Sequence, residues 1–141
     1  MLQYIKTFKE LLIFMNLKKI HHIAIICSDY EKSKNFYTNI LGLKIIREVY
    51  REARNSYKLD LLIGDSQIEL FSFQNSPKRP SYPEALGLRH LAFEVDNMDF
   101  MVEHLKKSGI EIEPIRIDEF TGKKFTFFND PDKLPIELYE I

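Results

Sequence analysis

The chain has 141 residues, 45% of them apolar and 29% charged, which suits one small domain or two half-size modules around one core. That composition excludes disordered, collagen-like and coiled-coil chains, and a net charge of -1 argues against a nucleic-acid partner. A single cysteine, Cys27, leaves no disulfide within the chain, and no apolar run is long enough to span a bilayer, so a soluble, cytoplasmic protein with no membrane partner is expected.

In chain order, residues 1–18 read as an N-terminal extension. Either TFKELLIFM forms one or two amphipathic turns at a sheet edge, or Met15 is the start of the unit. A strand is expected over Ile20–Ile26. A helix follows, opened by Asp29 as N-cap and closed by Gly42 as a left-handed C-cap. Strands over Leu43–Tyr50, Tyr57–Ile63 and Gln67–Phe73 complete a first module, residues 19–74, with a Gly64-Asp65 turn between the last two. Residues 75–87 carry Pro77, Pro80 and Pro83 and read as a linker. The same order then returns in residues 88–141: strand Leu88–Val95, a helix from Asn97 to Gly109, and strands Ile110–Ile117, Lys124–Phe128 and Leu134–Tyr139. HHIAIICSDY at 21 falls on RHLAFEVDNM at 89, and QIELFSF at 67 on PIELYEI at 135. The expected fold is therefore α+β, two tandem βαβββ units that fold together.

Alternation along these strands separates an aliphatic face from one that carries His or Glu beside small or aromatic residues. His90 lies 68 residues after His22, and Glu137 lies 68 after Glu69. One such residue on a strand is ordinarily structural or solvated; the recurrence of both types at one offset points to a ligand set. Two imidazoles and two carboxylates suit one divalent ion such as Ni, Zn, Co, Fe or Mn better than Ca or Mg.

HHIAI, SKNFYTNILGLKII, QIELF, GLRHLAFEV and NDPDKLPIEL resemble the vicinal oxygen chelate superfamily, which includes glyoxalase I, methylmalonyl-CoA epimerase, extradiol dioxygenases and fosfomycin resistance proteins. The resemblance covers residues 19–141 and implies that the mixed sheets curl into a metal-binding cup, with His22, Glu69, His90 and Glu137 as ligands. A His, Glu, His, Glu set looks like glyoxalase I (lactoylglutathione lyase) or the epimerases, which move a proton next to a carbonyl. By position, Glu137 is the expected base, and Glu69 is its counterpart or a fixed ligand. Two departures put the thiol in question. Ile26 and Phe73 stand where bacterial glyoxalase I enzymes carry an arginine and often an asparagine.

Phe71 and Phe73 share the face of Glu69 and are expected to line the cup; Arg51, Tyr57, Arg89 and Lys124 are further substrate-contact candidates. The leading expectation is a metal-dependent lyase or isomerase acting on a small α-oxo substrate or its thiol adduct, working as a homodimer. The alternatives are an epimerase or dioxygenase with the same ligands, or a ligand-sequestering protein of the bleomycin-resistance type.

Overall fold

The computed structural model describes residues 7–141, so the reading of residues 1–6 lies outside the described residues. The first element, α1 (Phe8–Phe14), is opened by Thr7. Its hydroxyl accepts from the Glu10 amide (3.1 Å), and the Glu10 carboxylate accepts from the Thr7 amide (2.9 Å), a reciprocal pair that satisfies two free donors. Phe8 and Leu12 on this helix are exposed.

The first module contains β1 (His22–Cys27), α2 (Tyr30–Asn35), β2 (Lys44–Arg51), β3 (Ser56–Ile63) and β4 (Ser66–Ser72). The second contains β5 (Leu91–Val95), α3 (Met98–Lys107), β6 (Arg116–Ile117), β7 (Lys124–Asn129) and β8 (Pro135–Glu140). The sheets have matching orders, β1-β4-β3-β2 and β5-β8-β7-β6. In each, the first and last strands pair in parallel and the rest antiparallel. Neither sheet closes on itself; each has two free edges.

Asp29 and Asn97 cap α2 and α3 by accepting from the amides of Lys32 (3.1 Å) and Phe100 (3.0 Å). Gly42 and Gly109 follow these helices with φ of +79° and +80°, a conformation that side chains with a Cβ resist. The single helix expected after Asp29 changes character at Phe36. Over Phe36–Ile40 it widens into a π-type turn, closed by a bond from the Leu41 amide to the Phe36 carbonyl (2.9 Å).

The continuous strand expected over Ile110–Ile117 is instead broken. Pro114 has no amide to give the ladder, so only β6 pairs regularly. Ile112 makes one isolated bridge to Phe128. Thr126 compensates locally by donating its hydroxyl to the Glu113 carbonyl (2.7 Å).

The helix-facing side chains of both modules form one core, in which Tyr37, Leu59, Leu61, Leu70, Met98, Leu105 and Ile136 are wholly buried. Polar bonds cross between the modules in and around it. Tyr37 donates to Asp130 (2.8 Å), the Ser28 amide to Asp132 (3.0 Å), and His104 Nε2 to the Ile40 carbonyl (2.7 Å). Burial, and then Asp130, hold the Tyr37 hydroxyl far above its ordinary pKa, so it stays a donor. Burial likewise pushes the Cys27 thiol up to about 11, too high for a reactive thiolate. The packing of helices on one side of each sheet leaves the opposite faces open. Among the described residues no helix is long and apolar enough to cross a membrane.

Candidate metal centre

The two open faces carry the four ionisable residues. In the parallel pair β1/β4, Ala24 lies opposite Glu69, and in β5/β8 Ala92 lies opposite Glu137. A small residue beside each glutamate gives the neighbouring histidine room to lean across. His22 Nε2 reaches Glu69 Oε2 at 3.0 Å, and His90 Nε2 reaches Glu137 Oε2 at the same distance. The glutamate side chains are 15% and 14% exposed and the histidines 43% and 31%, so each pair lies at a surface that solvent or a ligand can reach.

These spacings test whether the residues fit a metal. Two ligand atoms about 2.1 Å from one ion and at right angles to each other lie roughly 3.0 Å apart, the separation of neighbouring donors in a six-coordinate site. Both pairs meet that requirement, with an imidazole nitrogen and a carboxylate oxygen each. They meet it two by two. Among the described residues no group of three or more His, Cys, Asp or Glu side chains gathers within one chain to hold a metal ion. A hollow of about 640 Å³ lies elsewhere, between α2 and residues 110–113, and is lined by none of the four.

The pairs differ in what surrounds them. Beside Glu69, β3 presents Lys58 and Asp60; at the matching register beside Glu137, β7 presents Phe125 and Phe127. Lys58 Nζ binds Glu69 Oε1 at 2.7 Å and Asp60 Oδ1 at 2.6 Å. A one-residue bulge at Ile46 brings Arg47 opposite Asp60, where its Nε and Nη2 both meet Oδ2 at 3.1 Å. Burial opposes ionisation of Asp60, but Lys58 and Arg47 outweigh it and hold the carboxyl below its ordinary range. The bonds to Asp60 and then to Glu69 hold the Lys58 ammonium above its own range. In the second sheet the Phe127 ring instead stands edge-on to His90 (5.1 Å between centroids).

The sequence-predicted contact residues divide between faces. Phe71 and Phe73 lie on the open face beside Glu69, their rings parallel at 5.8 Å. Arg51 rests its guanidinium over both rings, at 4.9 and 5.4 Å, and donates to Ser56 (2.7 Å). Tyr57 and Lys124 are not brought to this face. Tyr57 stacks on Tyr30 of α2 (4.3 Å), and Lys124 reaches Asp99 of α3 (3.6 Å). Strand alternation fixes this, because each is one residue away from a side chain of the open face. Arg89 is turned to solvent and pairs loosely with Glu84 (3.7 Å).

His21 turns its ring back toward His22, and the two Nδ1 atoms lie 2.9 Å apart. A carboxylate can only accept, so His22 Nε2 donates to Glu69. Sequence reasoning passed over Asp60 altogether. The available signal was an acid inside the apolar run YKLDLLI.

Comparison with known proteins bears on this geometry. Residues 19–138 match the family model described as the Glyoxalase/Bleomycin resistance protein/Dioxygenase superfamily. The chain belongs to that superfamily. It is 65% identical over 127 residues to YwkD of Bacillus subtilis (strain 168), covering 89% of this chain and 99% of that protein. It is 31% identical over 123 residues to the mitochondrial methylmalonyl-CoA epimerase of Homo sapiens, covering 83% of this chain and 69% of the epimerase. The crystal structure of a glyoxalase family protein from Enterococcus faecalis superposes with a TM-score of 0.81 at 54% identity, covering 87% of this chain and 98% of that one. Lower-identity relatives of this superfamily member include a lactoylglutathione lyase and metallothiol transferases.

Proposed function

We propose that the chain is a metal-dependent lyase or isomerase of the glyoxalase I type, acting as a homodimer on a small α-oxo substrate or its thiol adduct. The observation that carries this reading is one His–Glu pair, with the same 3.0 Å separation, repeated on the open faces of two sheets. His22 and Glu69 of one protomer would hold one divalent ion (Ni, Zn, Co, Fe or Mn) together with the partner's His90 and the partner's Glu137. When bound, such an ion supplies positive charge to a substrate carbonyl as the neighbouring carbon acid loses its proton. Glu137 takes that proton on its carboxylate and delivers it to the adjacent carbon. Phe71 and Phe73 keep water from the reacting carbons, and Arg51 holds an acidic end of the substrate.

A second reading, an epimerase with the same ligands, is favoured by the 31% identity to methylmalonyl-CoA epimerase. There the carbon that lost a proton receives one on its opposite face, from an acid on that side. Elemental analysis after loading with Ni, Zn, Mn or Fe tests what the two share, and about one equivalent per chain is expected. Turnover of hemithioacetals against branched acyl thioesters then separates them. A chain that takes up no metal under any loading would instead be a metal-free binding protein.

A further inference from the structure

We propose that Lys58 is a positioning residue. Asp60 holds its ammonium against Oε1 of Glu69, so that Glu69 offers a metal ion only Oε2 and stays out of proton transfer. The inference rests on the metal reading above and gives the two carboxylates different tasks. One row of bonds links these side chains: Arg47 to Asp60 at 3.1 Å, Asp60 to Lys58 at 2.6 Å, Lys58 to Glu69 at 2.7 Å, and Glu69 to His22 at 3.0 Å. Each oxygen of Glu69 therefore has its own partner, and turning the carboxylate breaks both bonds.

Asp60, with a side chain 3% exposed, is the anchor of the row. An acid buried at that depth costs stability unless cations meet it, and both of its oxygens are met. On the other sheet the corresponding positions are Phe125 and Phe127, and His90 is the sole hydrogen-bond or ion-pair partner of Glu137 among the described residues. Glu137 can turn toward a substrate carbon; Glu69 cannot.

Cobalt(II) titration of the full chain tests this, read as affinity and as the visible absorption of the bound ion, with thermal melting alongside. In Lys58→Met the whole charge of Glu69 and both its oxygens become available, so cobalt should bind about tenfold more tightly, with a changed visible band. Lys58→Arg should return both readouts toward wild type. The double variant Lys58→Met/Asp60→Leu leaves no orphaned buried charge and so guards against misfolding; it too should bind more tightly than wild type. Unchanged or weaker affinity in Lys58→Met and in the double variant overturns the role of Lys58 and leaves the metal reading standing. A wild-type chain that takes up no cobalt overturns both.

Discussion

The first and second modules share their strand order, their helix caps and a His–Glu pair at 3.0 Å, yet they treat the glutamate oppositely. On the neighbouring antiparallel strand Glu69 meets Lys58 and Asp60, whereas Glu137 meets Phe125 and Phe127. Duplicated geometry alone would suggest two interchangeable carboxylates. The difference between Lys58/Asp60 and Phe125/Phe127 teaches that a repeat can keep its His–Glu pair while changing the strand beside it. The modules also diverge in their last turns. Gly64-Asp65 joins β3 to β4 tightly, whereas the Asp130 loop between β7 and β8 reaches into the first module through Tyr37.

Substitutions can break this comparison, and the largest effect is expected at Glu137. Glu137→Gln should lower turnover by about a thousandfold while costing less metal than Glu69→Gln. Steady-state kinetics with metal analysis would show this, and equal losses of metal and rate in the two variants would erase the difference between modules. Next, His22→Ala and His90→Ala should each weaken metal binding by about tenfold or more in calorimetric titration; a wild-type affinity in either would remove that pair from the site.

Asp130 gives a smaller effect, on stability. Its Oδ1 accepts from the amides of Asp132 (2.8 Å) and Leu134 (2.9 Å), and its Oδ2 accepts from Tyr37. Asp130→Ala should cost about 2 kcal/mol in urea unfolding by orphaning these donors. Burial raises the Asp130 carboxyl above its ordinary range, against the pull of the Leu134 amide and Tyr37. The native state thus favours the protonated form. The stability this lends is complete below the unfolded pKa and is lost as pH rises through the raised folded value. Asp130→Asn, which keeps the shape and cannot ionise, should flatten that part of the pH profile. Smallest of all, Lys124→Ala should leave metal affinity unchanged, because this side chain lies on the helix face beside Asp99.

Much of the fold was legible because a repeat at one offset displays the same alternation twice. The offset alone aligns His22 with His90 and Glu69 with Glu137. Strand ends moved by a few residues, and Ile110–Ile117 broke at Pro114, whose missing amide is written in the sequence but was outweighed by the alternation around it. Tyr57 and Lys124, substrate-contact candidates in the sequence, lie on the helix side of their sheets, a placement that needs exact register because a slip of one residue exchanges faces. The separation of the four residues into two pairs was not legible at all. Alternation tells which face a side chain joins, but not whether two faces of one chain meet.

Mixing variants tests directly whether the two His–Glu pairs form one centre across two protomers. His22→Ala and His90→Ala proteins, each expected to bind metal weakly, would be combined, allowed to exchange subunits, and titrated with nickel. A centre shared between chains predicts that the mixture regains tight binding that neither variant has alone, because each mixed dimer keeps one intact set of ligands. A mixture as deficient as its parents would contradict it.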